Sequence, residues 1–358
     1  MSVTGAPSEW LEVRSDPPSV RWGRIPSAGA TPIGVVADGG VIVVETVSHE
    51  GILPDQGQDP VAFFGHFGVP ASAVLDDARE IAAAGLERDT ARDGPHVVTG
   101  PIAVAGAQAG DLLRIETLAL ERRADYGIVS NRHNKGVLVG EFPKPDASGG
   151  DVPVVSMFGR VVDGRGRLEE GGSQLGFALR EFLGLVGVTP ATDEELPSTP
   201  PGVYGGNLDV RHLGVGSALL IPVAVPGALM YVADPHFAQG NGEVALTAFE
   251  APLRATLRVH VERGAGARRL AVGLVNPYGE TSRHLIAMGF GATVDDALRD
   301  ALRHAIALIC DLTGVSAALA LAYCSAAVDF EISQAVNGVR GVHCLIERAD
   351  VGRIGDRG

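Results

Sequence analysis

Three features of this sequence predict a β-rich α+β protein. Glycine (48 residues) and proline (22) supply about a fifth of the 358 positions, as a turn-rich sheet architecture needs. Runs of β-branched residues bounded by Gly, Pro or Asp recur from residue 34 to residue 262. Helical periodicity with a cap at each end is confined to the region after residue 292. A helical bundle or coiled coil does not fit this pattern.

The elements follow in chain order. Residues 34–46, GVVADGGVIVVET, read as two short strands joined by a turn at Asp38-Gly39-Gly40, a dipeptide type suited to positive φ. Residues 71–84, ASAVLDDAREIAAA, form a helical interlude. From Thr99, GPIAVAGAQAGDLLRIETLALE reads as a second hairpin around a Gly-rich turn. Further strands are expected in 152–162, 217–225, 228–234 and the long run 243–262. Residues 189–202, TPATDEELPSTPPG, look like an exposed linker because prolines and acids dominate them. GLVNPYGETSRHLIAMGFG is a strand-and-turn passage. Thr293 and Asp296 then open a helix whose Leu298, Leu302, Ala305 and Ile309 recur at helical spacing, and Gly314 closes it. A second helix starts at Ser316.

Composition narrows the function classes. With 29 basic against 43 acidic residues the formal charge is −14, which argues against nucleic acid as a partner. No stretch reaches the roughly 18 uninterrupted apolar residues of a membrane span, and the N-terminal MSVTGAPSEWLEVRSDPPSV lacks a basic and apolar leader, so a cytoplasmic protein is expected. Cys310, Cys324 and Cys344 have no CxxC spacing and read as buried, inert thiols.

Asp, His and Glu concentrate in GGNLDVRHL (205–213) and ADPHFAQGNGEV (233–244). Asp234 and His236, two apart, leave the same face of an extended chain. The turn Gln239-Gly240-Asn241-Gly242 then brings Glu243 back beside them. Such a trio can hold a divalent ion, although Asp234 and Asn241 could equally shape a turn while His236 caps a strand. Asn207 and Asp209 suit the same site or an Asx-stabilised loop. Arg211 and His212 read as a solvated edge. His49, followed by Glu50, could be a ligand, a proton carrier or an ordinary strand-end histidine. Arg132, His133, Lys135 and Glu141 in NRHNKGVLVGEFPK suit a loop that covers a pocket or meets a second subunit. No Walker loop, GxSxG elbow or SxxK motif occurs in a suitable setting, and Cys324 in ALAYCSAA is too apolar a place for a thiolate nucleophile.

An ordered series of motifs resembles the acetamidase/formamidase family: TGPIAVAGAQAGDLLRIE, FLGLVGVTPA, the whole of YGGNLDVRHLGVGSALLIPVAVPGALMYVADPHFAQGNGEV, and AYCSAAVDFEISQAVNGVRGV. The resemblance implies a jelly-roll-like β-sandwich or barrel part followed by a smaller α+β C-terminal part. Residues 1–200 would form the sandwich-like domain and 201–358 the metal-site hairpins and α+β part, unless the two interleave. It also implies hydrolysis of a small linear carboxamide to carboxylate and ammonia at a divalent metal, zinc suiting a mixed nitrogen and oxygen shell and calcium an oxygen-rich one. Carried onto this chain, Asp209, His236 and Glu243 become the metal ligands. Glu243, Asp234 and His236 become the catalytic groups, and Asn207, Gln239 and His49 the substrate contacts. Asn241 stands where the family commonly has Asp, which removes one carboxylate. Two other readings stay open: a non-catalytic, metal-containing small-molecule binding homologue, and a hydrolase of another C–N bond such as a cyclic amide or a carbamate-like group. A homo-oligomer, most simply a dimer, is expected.

Overall fold

The computed structural model describes residues 7–352, so residues 1–6 of the first expected domain and 353–358 of the second lie outside the described residues. Within them the architecture is β-rich α+β, with nineteen strands in one branched sheet, two more in a short ribbon, and six α-helices. The centre is the strand Leu253–Glu262, whose Leu253, Ala255, Leu257 and Val259 alternate inward. It pairs antiparallel with Leu112–Arg122 on one side and with Gly34–Glu45 on the other. Ile42, Val44, Ile115, Ile221, Met230 and Val232 close on the same core.

Several strands lie where expected, yet neither expected hairpin forms. Gly34–Glu45 is one continuous strand kinked at Gly39, where φ is +87°. Its first residues run parallel to Ile102–Val104, and residues 41–45 pair with 254–258, so each β-branched run has a partner other than its neighbour. Asp38, at the kink, accepts a hydrogen bond from the Val261 amide instead of closing a turn. In the same way Val97–Val104 and Leu112–Arg122 do not pair with each other. Val97–Val104 joins Val20–Trp22 and Met230–Ala238, while Leu112–Arg122 joins Ala218–Pro222 and Leu253–Glu262. The run 243–262 is strand only in Phe249–Glu250 and from Leu253 onward, because residues 243–248 turn.

The segment 189–202 is not a free linker. Leu196–Pro197 pairs with Arg24–Ile25, Glu195 meets Arg21 at 2.9 Å, and buried Ser198 bonds His96. Strand pairs also cross residue 200 repeatedly, joining Phe182–Val188 to Met230–Ala238 and Gly34–Glu45 to Leu253–Glu262, so the ranges 1–200 and 201–358 interleave.

The C-terminal helices match their caps. Thr293 accepts from the Asp296 amide, Gly314 follows Val294–Thr313 in the left-handed region, and Ser316 caps Ala317–Ala327. The buried face of the first helix is Ala297, Ala301, Ala305, Leu308 and Ile309, whereas Leu298 is 40% exposed. Small residues win this face because the helix lies almost on the backbone of strand His284–Gly291, at Gly289 and Gly291. Among the described residues no single helix is long and apolar enough to cross a membrane.

A Cβ at Gly289 would collide with the helix backbone at Ala297 and Ala301. Gly289→Ala is therefore expected to cost about 3 kcal/mol of stability, read by thermal unfolding. An unchanged melting temperature would contradict this close packing.

Candidate active site

The site is built on strand Met230–Ala238, buried at every position except its last. Asp234 Oδ2 lies 3.0 Å from His236 Nε2. The antiparallel partner Phe249–Glu250 sets Glu250 opposite His236, with its Oε1 also 3.0 Å from that nitrogen. Behind the group runs strand Phe182–Val188, which contributes Gly184. A Cβ at Gly184 would stand 2.5 Å from Asp234 Oδ2, 2.6 Å from Asp209 Oδ1 and 2.7 Å from the His236 ring. Glycine is thus required to leave room for three side chains at once.

Asp209 enters from the loop after Gly205–Asn207, and its amide bonds the Gly184 carbonyl. The 240–243 turn closes through Glu243 N–H to the Gly240 carbonyl and is tied to the next segment by Gly242 N–H to the Ser333 carbonyl. It presents Glu243 so that ligand atoms of Asp209, His236 and Glu243 all lie within 4.8 Å of one another. Asp209, Asp234 and Glu243 have φ of 51°, 58° and 46°, a left-handed backbone uncommon for these residues and typical of positions that a surrounding structure holds for function.

A second half of the site comes from residues the sequence reading only partly saw. His49 Nδ1 is 3.8 Å and His96 Nε2 3.6 Å from Asp234 Oδ1, and the two rings meet edge to face at 5.5 Å. Glu50, beside His49, is held by Arg132 at 3.0 Å and does not reach Asp234 as a ligand would. Asn337 donates to Asp209 Oδ2 at 2.6 Å. His96, Glu250 and Asn337 were not singled out from sequence. The available signal was a lone polar residue set in an apolar run, as in GPHVV and AFEAP.

Electrostatics separates the carboxyls. Burial and neighbouring Asp234 push Asp209 well above the ordinary carboxylate range, and burial with Asp209 does the same to Glu243. Glu250 is raised by burial and Asp234. Burial acts on Asp234 too, but His236 and His96 outweigh it and hold Asp234 low. Burial disfavours charge on His236, yet Glu250 and Asp234 keep its imidazole well above the usual range. His96 is pulled down to about 4, chiefly by burial.

His49, His96, Asn207, Asp234, Glu243 and Glu250 line the buried end of a cavity of about 450 Å³. Gln239 does not line it. Its amide nitrogen instead bridges the carbonyls of Asp209 and Ser333, at 2.9 and 3.1 Å, so it braces two segments. Arg132 and Lys135 line the more open end, while His133 and Glu141 stay outside it. The three cysteines are free and stand apart from the site, and burial raises Cys344 to about 12.

Arg211 and His212 are not a solvated edge. They face Glu331, which His212 Nε2 meets at 2.9 Å, buried His343 at 3.2 Å and Arg211 at 3.9 Å. Asn241 joins this second cluster, donating its amide to Glu331 at 2.6 Å, and does not belong to the group around His236. The carboxylate that Asn241→Asp introduces would thus face Glu331. The variant is expected to lose about 1–2 kcal/mol of stability at neutral pH and to regain most of it when Glu331→Gln is added, measured by denaturant unfolding. Equal stability of Asn241→Asp and the parent would show that Glu331 does not hold the turn.

A model described as the acetamidase/formamidase family matches residues 187–345. A candidate formamidase of Schizosaccharomyces pombe is 26% identical over 254 residues, which are 56% of this chain and 61% of that protein. A formamidase of Methylophilus methylotrophus is 25% identical over 201 residues, covering 42% of this chain and 47% of the relative. The chain thus aligns with less than two thirds of the length of either. The crystal structure of an acetamidase from Bacillus halodurans shares the fold with a TM-score of 0.74 and 22% identity, covering 96% of this chain and 99% of the other. The segment that matches the acetamidase/formamidase family model carries Asp209, Asp234, His236, Glu243, Glu250 and Asn337.

Proposed function

We propose that this protein hydrolyses the C–N bond of a carboxamide, giving carboxylate and ammonia, at a divalent metal held by Asp209, His236 and Glu243. The observation that carries the reading is a set of buried lone pairs with no hydrogen-bond donor. Oδ1 of Asp209 and Oε2 of Glu243 lack a hydrogen-bond donor, and together with the buried His236 ring they sit in one group whose ligand atoms lie within 4.8 Å of one another. The mixed nitrogen and oxygen set suits zinc better than calcium. A bound divalent ion supplies Lewis acidity there, acidifying water and polarising a carbonyl.

The remaining groups divide the proton work. Asp234, held low by its imidazoles, is ready to accept the proton of the attacking water. Glu250, opposite His236 and pushed up by burial and Asp234, is placed to pass a proton to the leaving nitrogen, which must depart as an amine. Both approach His236 Nε2 at 3.0 Å and both line the cavity, so one bound amide can reach them together. Asn207, whose Oδ1 is buried without a donor, is placed to accept from the amide N–H₂, and His49 and His96 close the wall beside it.

His236→Ala is expected to fold, to lose its metal by elemental analysis and to release ammonia from small amides about 100-fold more slowly or worse. Chelation of the parent should have the same effect and metal add-back should reverse it. A folded variant with full metal content would remove His236 from the ligand set, and ammonia release indifferent to chelation would end the metal-dependent reading. We further propose a homo-oligomer, supported by Val137, Leu138, Val139 and Phe142, which are 47%, 48%, 59% and 44% exposed on one loop. Light scattering at micromolar concentration should give at least twice the chain mass; a single-chain mass would refute it.

A further inference from the structure

The cavity is much larger than a formamide- or acetamide-sized substrate needs. Four heavy atoms occupy on the order of 100 Å³ at liquid packing, reckoned from about 30 Å³ per water, against a cavity of about 450 Å³. Its buried end is the carboxylate and imidazole group. Its more open end carries three cations, Arg88, Arg132 and Lys135, on a chain whose formal charge is −14.

These cations are not equivalent. Arg132 is neutralised by Glu50 at 3.0 Å and Asp55 at 2.7 Å. The other carboxylate at this end, Asp93, is paired with Arg24 at 2.8 Å. Among the described residues no carboxylate lies within ion-pair distance of Arg88 or Lys135. Arg88 is nevertheless fixed in place: its Nε donates to the Gly94 carbonyl at 2.7 Å, and its guanidinium lies 5.8 Å from the centre of the Trp22 ring. A half-buried guanidinium held by a carbonyl and an aromatic face, with Asp93 and Asp55 acting on it only from beyond ion-pair distance, is organised in advance for an anion. Lys135 supplies a second, flexible positive charge on the loop across the opening.

We propose that the substrate is an amide bearing a carboxylate, bound with its amide beside Asp234, Glu243 and Glu250 at the buried end and its carboxylate on Arg88 and Lys135. This rests on the hydrolase reading above and narrows its substrate class. A neutral acetamide would leave both cations to water, whereas a monoamide of a short dicarboxylic acid would span the two ends. A carboxylate matches the guanidinium fork, and the pairing is charge-assisted.

The test compares the metal-loaded full chain on malonamate, succinamate and glutaramate with the neutral amides of equal chain length, by ammonia release. At least one monoamide is expected to exceed its neutral counterpart in kcat/KM by about tenfold, and that ratio should fall about tenfold in Arg88→Gln and fall also in Lys135→Gln. Because Arg88 packs on Trp22, the melting temperature of each variant is compared with the parent, and exposed Lys135 provides the variant least able to disturb folding. Ratios of one or below for all three pairs would overturn the proposal while leaving the hydrolase reading intact. If no amide is cleaved, the hydrolase reading fails, and calorimetry with the same monoamides still decides the recognition: binding weakened about tenfold by Arg88→Gln upholds it, and absence of binding overturns it.

Discussion

Asp209, Asp234, Glu243 and Glu250 share one buried surface, and most of what surrounds them follows from the mutual repulsion of four carboxyls. Two like charges about 4 Å apart repel by about 4 kcal/mol at an effective dielectric of 20. The protein answers in three ways. His236 sits between Asp234 and Glu250, Asn337 donates to Asp209, and His49 and His96 flank Asp234. Even so, Asp209 and Glu243 are driven toward the protonated form, so positive charge is still wanted at that corner. The same repulsion is what would make the group bind a cation firmly.

Holding such a group requires backbone that gives way in some places and is rigid in others. Gly184 gives way, since its missing side chain is the space that Asp209, Asp234 and His236 occupy. The left-handed residues Asp209, Asp234 and Glu243 are held by what surrounds them: Gln239 fastens the Asp209 and Ser333 carbonyls together, and Asn241 hangs the turn on Glu331. Glu331 is in turn shared by His212 and His343, so the second cluster acts as an anchor for the first. Glu243 on one side of the turn and the bond of Asn241 to Glu331 on the other make residues 239–243 the tie between the site and strand Asp329–Gln334.

The site was legible where chemistry and local geometry coincide. Asp234, His236 and Glu243 lie within ten residues, and a Gly-rich turn is enough to bring them together, so spacing pointed to them. Asp209 and Asn207 could be read only through the motif series, because what unites them with His236 is the pairing of strand 182–188 with both 205–207 and 230–238. His96, Glu250 and Asn337 depend wholly on such long-range pairing. The capped helices 294–313 and 317–327 were legible for the opposite reason, since Thr293, Gly314 and Ser316 act on their own neighbours. The expected hairpins at 34–46 and 99–120 failed because a Gly-rich turn permits a reversal without requiring one, and distant strands offered better partners.

The bond from Asn337 to Asp209 also sets an order of events during synthesis. The ribosome releases a chain from its N-terminal end, and segments pack as they emerge. By the time residue 250 is out, His49, His96, Gly184, Asp209, Asp234, His236, Glu243 and Glu250 have all been made, but Ser333, Asn337 and Glu331, which tie Asp209, Gln239 and the 239–243 turn, have not. The nascent polypeptide therefore carries its most crowded carboxyl surface unclosed while the residues from 251 to 337 are translated. Closure by strand Asp329–Gln334 and the loop behind it cannot precede the synthesis of those residues, so the centre is completed only after the C-terminal part has been translated.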